Sequence, residues 1–363
     1  MKKVMIYAYT NFNLGDDLFI KILCERYPQT QFVLYAPGNY KKCFREINNL
    51  KILSSDSLGV RGFNFILRNL KIHPSFFRSL VAKNCDAAVY IGGSLFIQGK
   101  NWRNQIENLR SMRIDKKPFF LLGANFGPFT NMDFYLQHKE IFKGFTDICF
   151  REKYSYSLFE DLPNVRVASD IVFQLRRENI HRQTKNQVII SVIKPSIREY
   201  LSGYNEVYYR KIKDIAIYFI KKGYDVILMS FCKNEGDSEA VKNIMKLIPK
   251  EYLDKVIEYS YQLNIDKALD VIAGSSFVVA TRFHAMILGW VYNKPVFPIA
   301  YSNKMINVMK DVGFKGSYVD FNDLNSLEPE EVFRSMESNF VDISQQIKSS
   351  EKQFQKLDEY LYT

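Results

Sequence analysis

The chain has 363 residues, 47% hydrophobic and 25% charged, which marks a soluble globular protein with room for two domains. Its 50 basic residues outweigh 39 acidic ones for a net charge of +11, a balance that suits nucleic acid, an anionic membrane surface or a phosphorylated substrate without choosing among them. The 5 cysteines are scattered and never in Cys-x-x-Cys spacing, which speaks against a disulfide framework or a zinc site and for a reducing, cytoplasmic compartment. No apolar run reaches membrane-spanning length, and Met1 to Thr10 reads as an opening strand rather than a signal peptide.

In chain order, apolar strands are predicted at Val4–Ala8, Phe32–Tyr35, Ala87–Ile91, Phe119–Leu122 and Asp147–Phe150, each followed by a helical stretch. The polar segment Arg176–Gln187 then reads as a linker. A second series opens at Val188–Val192, continues with a helix over Tyr208–Lys222, and adds strands at Asp225–Met229, Phe277–Ala280 and Pro295–Ile299. Strand–helix alternation in both halves predicts two doubly wound, Rossmann-like parallel sheets, over residues 1–178 and 179–329. Behind Pro329 a charged helical tail, 330–363, carries Val332, Phe333, Met336 and Phe340 and is expected to return to the first domain. Two such domains facing a cleft resemble the GT-B architecture, and an architecture alone does not set the chemistry.

Six segments carry residues suited to chemistry. After the first strand, Asn13-Leu14-Gly15-Asp16-Asp17 places two carboxylates at a helix start, where Asp16 suits a base for a sugar hydroxyl or an ordinary cap. The turns Gly92-Gly93-Ser94 and Gly123-Ala124-Asn125-Phe126-Gly127-Pro128 follow strands and are expected to offer backbone N–H groups to a ligand, although neither is a dinucleotide or Walker loop. Arg151-Glu152 and Asp170 close the first half, as an ion pair or as site residues. Val278 to Gly289 runs from a buried strand through Thr281 into a helix, setting Arg282, Phe283 and His284 at a strand-to-helix turn. A cation beside an imidazole there suits an anionic substrate that must be held and protonated; a salt-bridged core arginine with a satisfied histidine is the plain alternative. The other histidines, His73, His138 and His181, are expected at the surface.

Together these segments resemble the polysaccharide pyruvyl transferase family over nearly the whole chain and in the right order. The elements are Asn13-Leu14-Gly15-Asp16, the turn near Gly92, Gly123 to Pro128, Arg151-Glu152 with Ser155, Asp170, and Arg282-x-His284-Ala285 followed by Pro295, Tyr301 and Lys304. One departure stands out. Where relatives end a strand in Ser-Val-Arg, this chain reads Ser191-Val192-Ile193-Lys194, with Arg198 further on.

The resemblance implies phosphoenolpyruvate as donor and two hydroxyls of one sugar as acceptor, closed into a pyruvate ketal. The acceptor it implies is a hexose such as galactose, through O4 and O6, in a lipid-linked saccharide of bacterial capsule, exopolysaccharide or cell-wall synthesis. His284 is then the general acid and Asp16 the base from the opposite domain. Arg282 and Lys304 hold the donor with Phe283, and Lys194 or Arg198 takes the missing arginine's place, lysine offering only a point charge. Asn13, Asp17, Gly93, Asn125, Arg151 and Asp170 fall on the acceptor side. No metal or cofactor is required.

From Ser57 to Cys85 there is no acidic residue, while Arg61, Arg68, Lys71, Arg78 and Lys83 alternate with Phe63, Phe65, Phe76 and Phe77. That pattern suits an anionic membrane surface, hence a peripheral place at the inner membrane face, or a helical hairpin with its aromatics in the core. The rival functions are a GT-B nucleotide-sugar glycosyltransferase, which normally needs a second-domain carboxylate for the ribose, and a non-catalytic saccharide-binding or scaffold protein. The basic residues form no nucleic-acid reading motif.

Overall fold

The structure, a computed structural model, describes residues 1–62, 76–114, 116–175 and 185–363. It contains two compact units. The first comprises Met1–Thr10, Leu18–Gln174 and Gln346–Thr363; the second comprises Asn11–Asp17 and Leu175–Gln345.

The first unit holds a seven-stranded sheet: β1 (Lys3–Ala8), β2 (Gln31–Ala36), β3 (Leu50–Ser54), β4 (Ala87–Ile91), β5 (Phe119–Ala124), β6 (Asp147–Phe150) and β7 (Val165–Val167). The order is β3-β2-β1-β4-β5-β6-β7 and every pairing is parallel. Central strands are apolar along their whole length because a parallel sheet is covered on both faces; Val4, Met5, Ile6 and Tyr7 are all buried. On one face Phe96, Phe126, Phe134, Phe142 and Phe159 form an aromatic core.

His138 belongs to that core, which corrects its expected surface position. Its ring lies 4.3 Å from that of Phe134 and 5.2 Å from that of Phe126, and its Nδ1 is 2.8 Å from the Phe134 carbonyl. Burial pulls the imidazole down to about 4, against the backbone bond. The sequence held the signal: Phe134, Ile141 and Phe142 stand at i−4, i+3 and i+4 from it.

The C-terminal segment is an integral part of this unit. Gln353 is fully buried; its Nε2 donates to the carbonyls of Phe150, Ala168 and Ser169, and its Oε1 accepts from Gly123 N at 3.0 Å. Asp358 accepts from Arg26 Nη2 and from Tyr27 Oη, each at 2.7 Å. The tail expected as one piece divides at Gln345. Its earlier part stays in the second unit, where Phe333 packs its ring against Phe219 and Tyr218.

The second unit holds a six-stranded sheet: β8 (Gln187–Val192), β9 (Asp225–Ser230), β10 (Val256–Ser260), β11 (Phe277–Ala280), β12 (Val296–Ala300) and β13 (Val319–Asp320). The order is β10-β9-β8-β11-β12-β13, again all parallel. Strand order reverses between β8 and β11, so the residues just beyond Val192 and Ala280 stand at the switch point where open α/β sheets take ligands.

Residues 63–75 of the acid-free stretch, with Phe63, Phe65, Arg68 and Lys71, lie outside the described residues, as do His73, His181 and most of the expected linker. No helix among the described residues is long and apolar enough to cross a membrane.

Candidate active site

The first helix, α1 (Leu14–Arg26), begins in the second unit. Its opening turn is fixed there by several bonds. Leu14 N donates to the Phe231 carbonyl at 3.2 Å, the Cys232 thiol to the Asn11 carbonyl at 3.4 Å, and Tyr261 Oη to Asp17 at 2.7 Å. Gly15 closes the contact. A Cβ on it would stand 1.7 Å from His284 Nδ1, so only glycine lets the turn lie against that ring. Asn13, Asp16 and Asp17 therefore belong to the unit of His284, which corrects their expected place on the opposite domain. Asp17 is fully buried and fastens the segment, so it is not open to an acceptor; Asn13 accepts from Gly15 N and shapes the turn.

His284 lies on α2 (Phe283–Val291), every other residue of which is buried. An all-apolar helix packed on all sides fixes the backbone that carries the imidazole. Arg282 precedes the helix, and its own N–H and that of Thr281 both donate to Ser191 Oγ, at 3.1 and 3.0 Å. Its guanidinium is buried and divided between two carboxylates. Nε donates to Asp237 at 2.9 Å, Nη2 also reaches Asp237, and Nη1 donates to Glu235 at 2.6 Å. Arg282 was expected to clamp the donor directly. At 7% side-chain exposure its guanidinium is instead held by the two carboxylates that its burial demands.

Glu235 and Asp237, between β9 and the following chain, are the residues that sequence reasoning missed. Both follow a strand in Lys233-Asn234-Glu235-Gly236-Asp237, but their partner Arg282 lies 45 or more residues away and no local pattern announces the pairing. Asp237 also accepts from Phe231 N and Cys232 N, at 3.1 and 2.9 Å. Glu235 receives Arg198 Nη2 at 3.1 Å as well. Burial opposes its ionisation, yet Arg282, Arg198 and Lys304 outweigh that and hold it down to about 2.

Of the two candidates for the missing arginine, the structure separates one from the other. Lys194 is turned to Glu239, with both carboxylate oxygens at 2.7 Å. Arg198 lies with Cζ 4.5 Å from the centroid of the Tyr301 ring. Lys304 Nζ lies 5.3 Å from the same ring and 5.8 Å from that of Phe283, which packs edge-on to His284. Burial alone would raise the Tyr301 phenol, but Lys304, Arg198 and Arg282 together draw it down to about 8.

In the first unit, Gly93, Asn125, Arg151 and Asp170 come together as expected from the sequence, in a form that closes them to an acceptor. Arg151 donates through Nη1 to Asp170 at 2.9 Å and through Nη2 to Asn125 at 2.6 Å, and the pair is 2% and 0% exposed. A Cβ on Gly93 would meet Arg151 Nη1 at 2.5 Å. The turn amides are engaged too. Gly123 N donates to Gln353, Asn125 N to Gly93 O, Phe126 N to Ser155 Oγ and Gly127 N to Phe96 O. In the Gly123–Pro128 turn these amides are therefore taken up within the protein.

Comparison with known proteins gives the family and the fold. Residues 13–303 match the model of the polysaccharide pyruvyl transferase family. The amylovoran biosynthesis protein AmsJ of Erwinia amylovora is 23% identical over 312 residues, covering 79% of this chain and 74% of that protein. Among solved structures, Anabaena HepE in complex with UDP and glucose matches at a TM-score of 0.59 and 13% identity, over 100% of both chains. S. aureus MnaA with UDP matches at 0.58 and 12% identity, over 100% of this chain and 97% of that one. These likenesses show the fold, the pair of Rossmann-like domains of GT-B enzymes.

Proposed function

Because the chain belongs to the polysaccharide pyruvyl transferase family, we propose that it moves the pyruvyl group of phosphoenolpyruvate onto two hydroxyls of one hexose in a lipid-linked saccharide, as a ketal. Galactose through O4 and O6 is the acceptor we favour, in assembly of a bacterial surface polymer. The observation that carries the donor assignment is the grouping of Arg198, Lys304 and Arg282 about Tyr301 at the strand ends beside the His284 turn. Against three cations stand two carboxylates, Glu235 and Asp237, so positive charge remains in excess and suits a small anion. Glu235 and Asp237, the two carboxylates on Arg282, are occupied by arginines, which leaves them poorly placed to hold a nucleotide ribose.

The chemistry follows from the proton balance. His284 gives a proton to the methylene carbon, and positive charge develops at the adjacent carbon. The first hydroxyl adds there, and Asp16 accepts its proton. The carbon–oxygen bond to phosphate then breaks, and the second hydroxyl adds in its place. Of the two hydroxyl protons, one balances that now in the methyl group and the other leaves with phosphate. Cations held in fixed positions stabilise the negative charge of the departing group without reorganising.

Phosphate release from phosphoenolpyruvate, assayed against lipid-linked or synthetic hexosides, tests the whole reading. His284→Ala is expected to lower turnover by about a hundredfold or more, as loss of a general acid does, and Asp16→Asn by a similar factor. Both variants should keep the thermal midpoint. Near-normal turnover in His284→Ala would remove it from the chemistry.

A pH dependence is also expected. Below about 8 the Tyr301 phenol is neutral; above it the phenolate neutralises part of the cation group that the donor needs. Donor affinity should therefore fall as pH rises through that value. Tyr301→Phe should flatten this alkaline limb, and an unchanged profile would show that Tyr301 does not set it.

A further inference from the structure

The helix Asn205–Lys221 buries Tyr208, Ile212, Ile215 and Phe219, a stripe at helical spacing that packs on the second sheet. Tyr208 is fully buried, and its ring stacks on that of Phe321 with centroids 5.4 Å apart. Phenylalanine would fill that volume equally well, and an unpaired phenol would be costly there, so the hydroxyl needs a reason of its own. Its bonds supply one. Tyr208 Oη accepts from Ile193 N at 3.3 Å and donates to Thr281 Oγ1 at 2.9 Å. Ile193 is the first residue beyond β8 and Thr281 the first beyond β11, the two strands between which the order of the sheet reverses. One hydroxyl thus ties together both lips of the switch point. Burial raises the phenol, so its proton stays in place for Thr281. Thr281 is fully buried as well, and it leads directly into Arg282 and the helix of His284.

We infer that Tyr208 is a positioning residue for the reaction: through Thr281 it fixes the turn that carries His284 against the exit of β8. Ser191 makes the complementary attachment. Its Oγ receives the amides of Thr281 and Arg282, which holds the backbone of the turn and leaves the Thr281 side chain to be set by Tyr208. Fully enclosed, Tyr208 reaches no substrate and acts only through the Thr281–His284 turn. A small displacement of that turn carries the imidazole with it, and proton transfer is sensitive to such displacements. The inference rests on the proton-donor role given to His284 above.

The test uses the full chain, assayed well below its thermal midpoint. Tyr208→Phe keeps the ring and its packing and removes only the hydroxyl. Turnover in the phosphate-release assay should fall by about tenfold, with the KM for phosphoenolpyruvate within about twofold of wild type. Thr281→Val, which deletes the other end of the same bond, should lower turnover by a similar factor, and the double variant should be little slower than either single one. Thr281→Ser, which keeps the hydroxyl, should turn over like wild type. In a His284→Ala background Tyr208→Phe should change the residual turnover by less than about twofold. A purely structural role would lower the thermal midpoint and leave these rates alone. Wild-type turnover in both Tyr208→Phe and Thr281→Val, a raised KM at unchanged turnover, or a fall that persists undiminished in the His284→Ala background overturns the inference. NMR separates it from the functional reading. The ring resonances of His284, assigned by their loss in His284→Ala, should shift in Tyr208→Phe. If wild type releases no phosphate from phosphoenolpyruvate, the donor reading fails and these resonances decide alone: displaced, they uphold the tie from Tyr208 to the turn, and unmoved, they overturn it.

Discussion

Gly15→Ala is expected to lower turnover by about a hundredfold or more while leaving the protein folded, since a displacement of one ångström at a reacting group can cost that much. The backbone of Gly15 does not lie in the left-handed region, and alanine is the better helix former, so the helix itself tolerates the change. The added methyl has only one place to go, the volume held by the imidazole of His284 at 1.7 Å from Nδ1. Either the ring rotates out of its place or the opening turn of α1 lifts, and in both cases the proton donor is mispositioned. Crystal structures and phosphate-release kinetics of the variant would separate these outcomes. In a His284→Ala background the same substitution should add little, because the clash is gone. Turnover close to wild type in Gly15→Ala would show that the ring's position is not critical.

Asp170→Ala is expected to destabilise the first unit by about 3–5 kcal/mol, the usual consequence of stranding one member of a buried ion pair. Asp170 accepts from Arg151 and from Val172 N, at 2.9 and 2.8 Å, so its loss takes the carboxylate from a buried guanidinium and the acceptor from an amide. Replacing both Arg151 and Asp170 by apolar residues of similar size should recover much of that loss, although Asn125 loses a donor as well. Denaturant unfolding followed by a probe in the first unit measures the effect. A loss below about 1 kcal/mol would place the pair with weakly coupled surface bridges and outside the core.

The central strands were readable from the amino-acid order because a parallel strand covered on both faces is apolar throughout, as at Val188–Val192 and Phe277–Ala280. The edge strands were not. Val256–Ser260 pairs on one side only, and Ile257 and Glu258 are exposed, so no apolar run marks it. Leu50–Ser54 escaped for the same reason. At the site, His284 and Lys304 stood out through local motifs, and Arg198 was one of two candidates that spacing alone left level. What separated it from Lys194 is the pairing of each with a different glutamate, Glu235 for one and Glu239 for the other, which only folding decides. The place of Asn11–Asp17 was misread for a related reason. Chain order assigns the segment to the first sheet, while its hydrogen bonds to Phe231, Cys232 and Tyr261 assign it to the second.

Gln353 carries a consequence for the order in which the molecule is made. Its amide joins the ends of strands formed by residues synthesised some 200 positions earlier, at Phe150 and Ala168. The first sheet therefore leaves the ribosome with the carbonyls of Phe150, Ala168 and Ser169 lacking their native donor, and it waits through the synthesis of the entire second unit. The intervening unit, apart from the short Asn11–Asp17 segment already emerged, has all its strands in hand before Gln346 is added. Completion thus runs against the chain's direction: the half begun first is the half finished last, and a nascent chain stalled short of Gln353 exposes an unsealed first sheet beside a complete second one.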